Sequence, residues 1–211
     1  MVKFKVKTKS FIKCIDFAAA SAPTKDVRKL LNSIQLTFDS EHKALVFVAT
    51  NGHHLSTVKL SVDDKEGDFE GSFDGFEFLI PTESVKQIKT MFGKDKFSIS
   101  VQVADGQMII EGVDKTSVVN NGLENGLRYP DTSRYTKILQ DDSLPSRSYA
   151  KLNPDYVSKL AKAFNEISED KWPSMEITFT KVSNGLVLFT TQTALPENVF
   201  EPISVLMPMR D

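Results

Sequence analysis

The sequence has a single cysteine, Cys14, which excludes an internal disulfide framework and a cysteine-rich zinc site. It also has no run of about 18 apolar residues that could span a bilayer, and the opening MVKFKVKTK has no apolar signal core. With 26 basic against 28 acidic residues, it lacks the excess positive charge of a wholly basic nucleic-acid binder. We therefore expect a globular protein of the reducing cytoplasm, with no membrane association, in which any DNA contact comes from a local patch.

Recognisable catalytic motifs are missing as well. The sequence has no glycine-rich phosphate loop, no His and Glu cluster at metal-ligand spacing, and no Ser, Cys or Thr nucleophile with an identifiable base. His53 and His54 are adjacent, but the third histidine, His42, hardly completes a metal site. We predict a binding protein without catalytic residues, metal or cofactor, and an enzyme that uses the two adjacent histidines is kept as a third alternative.

Three segments repeat one pattern of extended strand, polar cap and short amphipathic helix. They read VKFKVKTKSFIKCIDFAAA, FEFLIPTESVKQIKTMFG and SYAKLNPDYVSKLAKAFNEI. When Ile15, Ile88 and Leu160 are taken as equivalent, the copies recur at nearly equal intervals along the chain. Apolar residues at helical spacing predict one buried stripe on each helix, and lysines occupy the opposite faces.

Alternating apolar residues after each helix predict half-buried strands. These segments contain Ile34, Leu36 and Phe38, then Leu45 and Phe47, then Leu55 to Leu60, then Ile99, Val101 and Val103, and finally Ile177 and Phe179. The pairs Asp105-Gly106 and Asn184-Gly185 predict tight hairpin turns. The polar stretch QDDSLPSR predicts a linker that separates two repeats from the third.

A sheet with one apolar face and a helix with one apolar stripe must be covered by neighbours, so such units pair. We predict an α+β fold of repeated βαβββ units, with antiparallel sheets outside and helices on one face. Residues 1–140 would form a complete domain of two units, about 1–65 and 72–140. Residues 141–147 would be the linker, and residues 148–211 a half-domain that needs a partner surface.

The segment VATNGHHL at residues 48–55 resembles the ATDGHRL signature of the bacterial DNA polymerase III beta sliding clamp family. The segments DVRKLLN (26–32), RYPD (128–131) and MPMR (207–210) resemble further family motifs in the same order. Asn153 and Tyr156 fall where the family has an Asn and a Tyr three residues apart. A family subunit has three domains of two units each, whereas this chain looks like the second domain followed by the latter half of the third. Asn51 and His54 replace the Asp and Arg of the signature.

The resemblance implies the DNA-clamp fold and a pocket that receives a short, mostly apolar peptide from polymerases and repair proteins. Adaptable Met and Leu side chains, a glycine that permits close backbone approach, and a few polar groups suit this role. The residues implied are Arg28, Leu31, Thr50, Gly52, His53, His54, Leu55, Asn153, Tyr156, Val205, Leu206, Met207, Pro208, Met209 and Arg210.

The helix lysines would face duplex DNA enclosed by a ring and contact its phosphates without reading sequence. They are Lys9, Lys13, Lys86, Lys89, Lys159 and Lys162. If the family's ring of about twelve units is kept, three units per chain would make a homotetramer. The function predicted is that of a processivity factor that tethers a DNA polymerase or other clamp-binding protein to DNA. The alternative is an adaptor that binds clamp-interacting peptides without encircling DNA.

Overall fold

The computed structural model describes residues 1–62, 69–122, 128–132, 152–171, 173–179, 186–191 and 193–207. The first unit contains β1 (Val2–Lys7), α1 (Thr8–Ala19), β2 (Ser33–Asp39), β3 (Ala44–Thr50) and β4 (His54–Ser61), with a 3-10 helix at Lys29–Asn32. The short β5 (Phe69–Glu70) precedes the second unit, which contains β6 (Glu77–Pro81), α2 (Thr82–Phe92), β7 (Ser98–Ala104), β8 (Gln107–Glu111) and β9 (Thr116–Asn120). The third unit contributes α3 (Pro154–Ile167), β10 (Glu176–Phe179), β11 (Val187–Thr190) and β12 (Val199–Leu206). The predicted α+β fold of antiparallel sheets and helices is confirmed.

The first two units exchange their leading strands. β1 of the first unit pairs with β7 of the second, and β6 of the second pairs with β2 of the first. One sheet has the strand order β5-β1-β7-β8-β9, and the other has the order β10-β11-β12-β4-β3-β2-β6. Each unit therefore closes the core of the other, which is the physical reason that neither would fold alone.

The third unit extends the seven-stranded sheet, because β12 pairs antiparallel with β4. Its register places Leu206 opposite His54 and Val205 opposite Leu55. The predicted linker, most of the strand expected before the third helix, and the expected Asn184-Gly185 turn lie outside the described residues. The division of the chain into a domain and a half-domain stays a prediction.

The three α-helices of the described residues are neighbours, with α1 contacting both α2 and α3. The prediction of a single buried stripe is wrong for α1. This helix buries Phe11, Ile12, Cys14, Ile15 and Phe17, among others, because the sheet covers one side and a neighbouring helix lies on each flank. The start of α3 is as predicted, since the Asn153 side chain accepts a hydrogen bond from the backbone N–H of Asp155 and Pro154 follows the cap.

The turn between β7 and β8 also follows the sequence prediction. Asp105 and Gly106 have φ values of 50° and 72°, the left-handed conformation that a two-residue hairpin of this type requires. The turn is followed by Met108 and Ile110, which are fully buried under the helices. It thereby sets the register of the five-stranded sheet.

An edge-to-face ring contact joins α1 to α3. The Phe17 and Phe164 ring centroids are 5.0 Å apart at an interplanar angle of 78°, and both side chains are almost completely buried. We expect Phe17→Ala to lower the free energy of unfolding by about 3–5 kcal/mol, because it removes this contact and leaves a cavity. Urea unfolding monitored by circular dichroism measures the loss. Phe97→Ala is the control, since this side chain is 70% exposed, and a similar loss in both variants would contradict the assignment.

Candidate functional site

The turn between β3 and β4 is held by its own polar side chains. The Thr50 hydroxyl donates to the carbonyl of His54 at 2.8 Å and accepts from the N–H of Gly52 at 3.1 Å. The Asn51 side-chain oxygen accepts from the N–H groups of His53 and His54 at 2.9 and 3.0 Å. Asn51 therefore performs the turn-closing role that an aspartate could perform at the same position.

Gly52 is required at this turn for two reasons. Its φ of 88° lies in the left-handed region, which strains any residue with a Cβ. In addition, a Cβ at Gly52 would lie 3.1 Å from Nη1 of Arg28, tighter than an ordinary van der Waals contact. The close approach allows the Arg28 guanidinium to lie against the turn and donate to the Asn51 carbonyl at 3.1 Å.

Arg28 is oriented by its neighbours in the segment before β2. Its Nε and Nη2 donate to the two carboxylate oxygens of Asp26 at 2.9 and 2.8 Å, and this pairing lowers the pKa of Asp26 to about 2. The Asn32 side chain closes the segment by bonding both the N–H and the carbonyl of Asp26. Arg28, the one arginine that lines the site within the described residues, therefore has an oriented side chain, and its charge is already balanced by a carboxylate.

Tyr129 fixes the segment that follows β9 against the same turn. Its hydroxyl donates to the carbonyl of Ser33 at 3.4 Å and accepts from the N–H of Thr50 at 3.3 Å. Its ring is buried, and this burial raises the pKa of the Tyr129 phenol above its usual range. The next three residues, Pro130, Asp131 and Thr132, reach the site as a consequence.

The end of β12 forms the opposite wall. The N–H of Met207 donates to the carbonyl of His53 at 2.9 Å, which continues the pairing of β12 with β4 by one residue. Val205 and Leu55 lie side by side and are both buried, whereas the Met207 side chain is 37% exposed. The first and last parts of the described chain therefore meet.

Between these walls is a cavity with a volume of about 240 Å³. It is lined by Arg28, Leu31, Thr50, Gly52, His53, His54, Leu55, Pro130, Asp131, Thr132, Val205 and Met207. Nine of these residues were predicted from the sequence, and the segment 130–132 was missed. The RYPD motif at residues 128–131 could have located it, because the motif contains Pro130 and Asp131.

Three of the other predicted pocket residues lie elsewhere in the structure. Asn153 caps α3, and Leu206 is fully buried in the main core because its side chain faces the helices. Tyr156 does not line the cavity but covers the two histidines behind it, with its ring centroid 4.6 Å from that of His54 and 6.1 Å from that of His53. Pro208, Met209 and Arg210 lie outside the described residues.

His54 belongs to a buried chain of hydroxyl groups. Its Nδ1 is hydrogen-bonded to Ser21 Oγ at 2.7 Å, Ser21 Oγ to Ser56 Oγ at 2.6 Å, and Ser56 Oγ to Ser204 Oγ at 2.6 Å. All three serines are fully buried. Their mutual hydrogen bonds satisfy hydroxyl groups that would otherwise be costly to bury. It links the end of α1, β4 and β12. Burial, with smaller contributions from Lys159 and His53, lowers the pKa of His54 to about 4.

The predicted DNA-binding lysines fall into two groups. Lys9 forms an ion pair with Glu169, and the Lys13 ammonium donates to the carbonyls of Ile167 and Ser168 at 3.2 and 2.9 Å. These carbonyls end α3, where a cation is favoured by the helix dipole. Lys9 and Lys13 thus already have partners within the chain.

The second group flanks the end of α1. Lys86 and Lys89 of α2 line a groove on one side of it, and Lys159 and Lys162 of α3 line a groove on the other. Lys89 pairs with Asp16 at 2.7 Å, and Lys162 approaches Glu166 at 3.8 Å. Lys86 and Lys159 are exposed and have no ion-pair partner within the described part of the chain. These two ammonium groups can therefore contact phosphates, although the same helices also carry the acidic residues Glu83, Asp155 and Glu166.

In the described ranges, no three His, Cys, Asp or Glu side chains are grouped closely enough to hold a metal ion. His53 and His54 serve the turn and the serine chain instead. No helix among the described residues is long and apolar enough to cross a membrane.

The neutral state of His54 has a consequence for stability. Because the folded protein lowers the pKa of His54 from 6.5 to about 4, the unfolded chain binds more protons between these values, and stability falls as the pH drops. We expect the stability advantage of the wild type over His54→Gln to shrink by roughly 1–3 kcal/mol between pH 7 and pH 4. Urea unfolding of both proteins across this range measures it, and a pH-independent difference would contradict the burial of a neutral imidazole.

Comparison with solved structures shows the same fold. A crystal structure of the DNA polymerase III subunit beta from Pseudomonas aeruginosa aligns with a TM-score of 0.67 and 14% identity, covering 100% of this chain and 67% of that one. A sliding clamp from Bartonella birtlesii, bound to griselimycin, aligns with a TM-score of 0.69 and 16% identity, covering 99% and 66%. At these identities the likeness concerns the fold alone.

Sequence comparison gives the family. The beta sliding clamp of Streptococcus pneumoniae is 30% identical over 129 residues, which are 61% of this chain and 31% of the relative. The match thus spans about a third of the relative's length. The family model of the DNA polymerase III beta subunit, central domain, matches residues 5–131. Because that match covers more than half of the chain, the protein belongs to the family of the DNA polymerase III beta subunit.

Proposed function

We propose that this protein is a sliding-clamp-like processivity factor that tethers a DNA polymerase or related protein to duplex DNA. The observation that carries the proposal is the cavity between the β3–β4 turn and the end of β12, at which the first and third units meet. A tether needs a site for its client and a separate surface for DNA. The cavity and the lysine-bearing helices supply candidates for both.

The chemistry of the cavity suits a short peptide held by apolar anchors. Its volume of about 240 Å³ is below the range of typical small-molecule sites, so it suits one or two inserted side chains better than a whole ligand. Leu31, Leu55, Val205 and Met207 supply apolar contact. The fixed guanidinium of Arg28 and the backbone of the turn can orient a polar main chain.

The helix layer supports a role for DNA that does not depend on base sequence. Flexible lysines such as Lys86 and Lys159 bind phosphates as point charges, so their contacts hold a duplex without fixing its register. A protein that slides requires such contacts, since base-specific hydrogen bonds would stop it. Encirclement would require several copies, and a homotetrameric ring remains our hypothesis for the assembly.

The alternative of an adaptor without a ring has one observation in its favour. The cavity has walls from both the first and the third unit of one chain, so binding of a client needs no second copy. Such a protein could bind clients without being held on DNA. Retention on DNA separates the two functions.

For the peptide site, we expect Met207→Ala to weaken binding of a short, mostly apolar client peptide by about 1–3 kcal/mol, the usual effect of removing a central anchor. The Met207 change removes a side chain that would touch the peptide directly. Tyr156→Ala should weaken binding indirectly, because it removes the ring that packs on His53 and His54 and supports them from behind. Fluorescence anisotropy with a labelled peptide measures both. Val113→Ala is the control because this side chain is 74% exposed and lies outside the cavity, and unchanged affinity in both test variants would refute the site.

For the DNA face, we expect the double change Lys86→Gln and Lys159→Gln to weaken binding to duplex DNA of any sequence and to reduce the slope of log K against log salt by about 2. The matched control is Lys3→Gln with Lys5→Gln. It removes the same charge from β1, where these side chains alternate with the buried Val2, Phe4 and Val6.

The wild-type protein and these lysine variants also distinguish a clamp that encircles DNA from an adaptor that does not. A clamp should stay on circular plasmid during gel filtration at moderate salt and leave after the plasmid is linearised, because a topological tether slides off free ends. Peptide binding without retention on circular DNA would support the adaptor. An equal salt slope in the test and control variants would contradict the helix face as the DNA surface.

A further inference from the structure

Phe97 exposes its side chain although its backbone is held in place. The side chain is 70% exposed, and no other phenylalanine whose side chain the structure describes is exposed. The N–H and the hydroxyl of Thr8 both donate to the Phe97 carbonyl, which ties the residue to the start of α1. Phe97 therefore presents an aromatic ring to solvent from a fixed position, at the end of the five-stranded sheet where β1 finishes and β7 begins.

Three lysines lie at the same end of this sheet. Lys7 is the last residue of β1 and is paired with Ser98, the residue that follows Phe97. Lys94 and Lys96 are in the short connection between α2 and β7. All three lysines are exposed, and none has an ion-pair partner within the described part of the chain. Three ammonium groups are thus available beside one exposed ring.

The acidic groups at this end do not cancel that charge. Asp95, between the two lysines of the connection, forms an ion pair with Lys115 at 2.6 Å. Glu111 and Asp114 are exposed, but they belong to the β8–β9 hairpin, which lies on the opposite side of β7 from β1. The positive charge is therefore concentrated around the start of β7, where Phe97 is.

An exposed ring beside unpaired ammonium groups suits single-stranded nucleic acid. Proteins hold such strands by contacts to the phosphates and by stacking of bases on aromatic side chains. A duplex is a poorer match, because its bases already stack on one another. A protein partner is a poorer match too, since lysine is depleted from the centres of protein interfaces. Among the described residues at this end, only Phe97 and Val113 are large apolar side chains that are exposed.

We propose that Phe97, Lys7, Lys94 and Lys96, together called the Phe97 patch, bind single-stranded nucleic acid of any sequence. One base stacks on the Phe97 ring, and the lysines contact the phosphates on either side of that base. Stacking does not select among bases, because every base has a flat aromatic face. Flexible lysines likewise contact phosphates without reading the sequence.

The Phe97 patch and the cavity lie at opposite ends of α1. This helix begins at Thr8, beside Phe97, and Ser21, just after its other end, is hydrogen-bonded to His54. Its 12 residues span about 18 Å. A single strand on the patch would therefore leave the cavity open. The inference rests on the patch alone, and it holds whether or not the protein binds peptides or encircles duplex DNA.

The role of the ring is tested in the full chain by fluorescence anisotropy with a labelled oligothymidylate of about 16 nucleotides. We expect Phe97→Ala to raise the dissociation constant at least about fivefold, the smallest effect usual for a stacked base. Phe97→Trp should bind at least as well as the wild type. Phe97→Leu keeps an apolar side chain without an aromatic face and should lose as much as Phe97→Ala. Ile177→Ala, at a side chain that is 44% exposed on β10, is the control and should bind like the wild type.

An abasic oligomer of the same length separates stacking from charge. It has the phosphates but no bases, so the wild type and Phe97→Ala should bind it equally. The two proteins should also have equal affinity for duplex DNA, in which no unpaired base is offered. This result is independent of the Lys86 and Lys159 variants, so a failure of the helix face as the duplex surface would leave it unchanged.

The role of the lysines is tested by salt dependence. The double change Lys94→Gln and Lys96→Gln should reduce the slope of log K against log salt for oligothymidylate by about 1.4, at about 0.7 for each phosphate of a single strand. Lys3→Gln with Lys5→Gln removes the same charge from β1 and is the matched control, which should keep the slope of the wild type.

Three results would overturn the proposal. They are an unchanged affinity for oligothymidylate in Phe97→Ala, full affinity in Phe97→Leu, and an equal loss in Phe97→Ala on the abasic oligomer. Sedimentation with vesicles of phosphatidylserine and phosphatidylcholine provides a further arm. Binding to these vesicles that depends on Phe97, without binding to oligothymidylate, would assign the Phe97 patch to a lipid surface and would also overturn the proposal.

Discussion

The antiparallel pairing of β12 with β4 is the interaction on which the rest of the structure depends. It brings the end of the chain to the β3–β4 turn, so the cavity has a second wall only if this register is kept. A slip of one residue would turn every side chain of β12 to the opposite face of the sheet. Val205 would then face the helices, and Ser204 would face the outer side. The buried hydroxyl chain reinforces the register, because Ser204 meets Ser56 at 2.6 Å only when its side chain faces the helices. A polar contact inside an apolar core can therefore specify one arrangement among several of similar apolar burial.

The same pairing positions the helices. Because the strands of the third unit continue the sheet of the first, α3 lies beside α1, and the Phe17 and Phe164 rings come into contact. Lys13 then reaches the carbonyls at the end of α3, while Lys159 faces the groove beside the end of α1. The candidate peptide site and the candidate DNA face are therefore two results of one junction. A change that loosens the junction would affect both, which is why a test of either surface needs a control for folding.

Local signals in the sequence predicted most helices, strands and turns. The features that could not be predicted from the sequence depend on contacts between distant residues. The strands β2, β3, β4 and β7, the Asp105-Gly106 turn and the Asn153 cap depend on near neighbours, so a pattern could predict them. The half-burial expected for β3 and β4 is wrong, since almost all of their residues on both faces are buried. The burial of α1 on nearly all sides depends on α3, whose position no local pattern encodes. For the same reason Lys13, predicted to face DNA, is bonded to the distant residues 167 and 168. The resemblance supplied most of the cavity, but Pro130 reaches it only through the buried contacts of Tyr129 with Ser33 and Thr50.

The replacement of the family's arginine by His54 changes the electrostatics of the cavity. A guanidinium keeps its charge at any physiological pH, whereas the pKa of about 4 leaves His54 neutral. Arg28 is then the one arginine or lysine side chain lining the cavity within the described residues, and Asp26 already balances its charge. Asp131 adds a carboxylate to the lining. A site of this kind has little net attraction for an acidic segment, so selectivity must come from apolar anchors against Leu31, Leu55, Val205 and Met207 and from hydrogen bonds to the turn. The same neutrality allows His54 to be buried under Tyr156, because a charged side chain there would carry a large desolvation penalty.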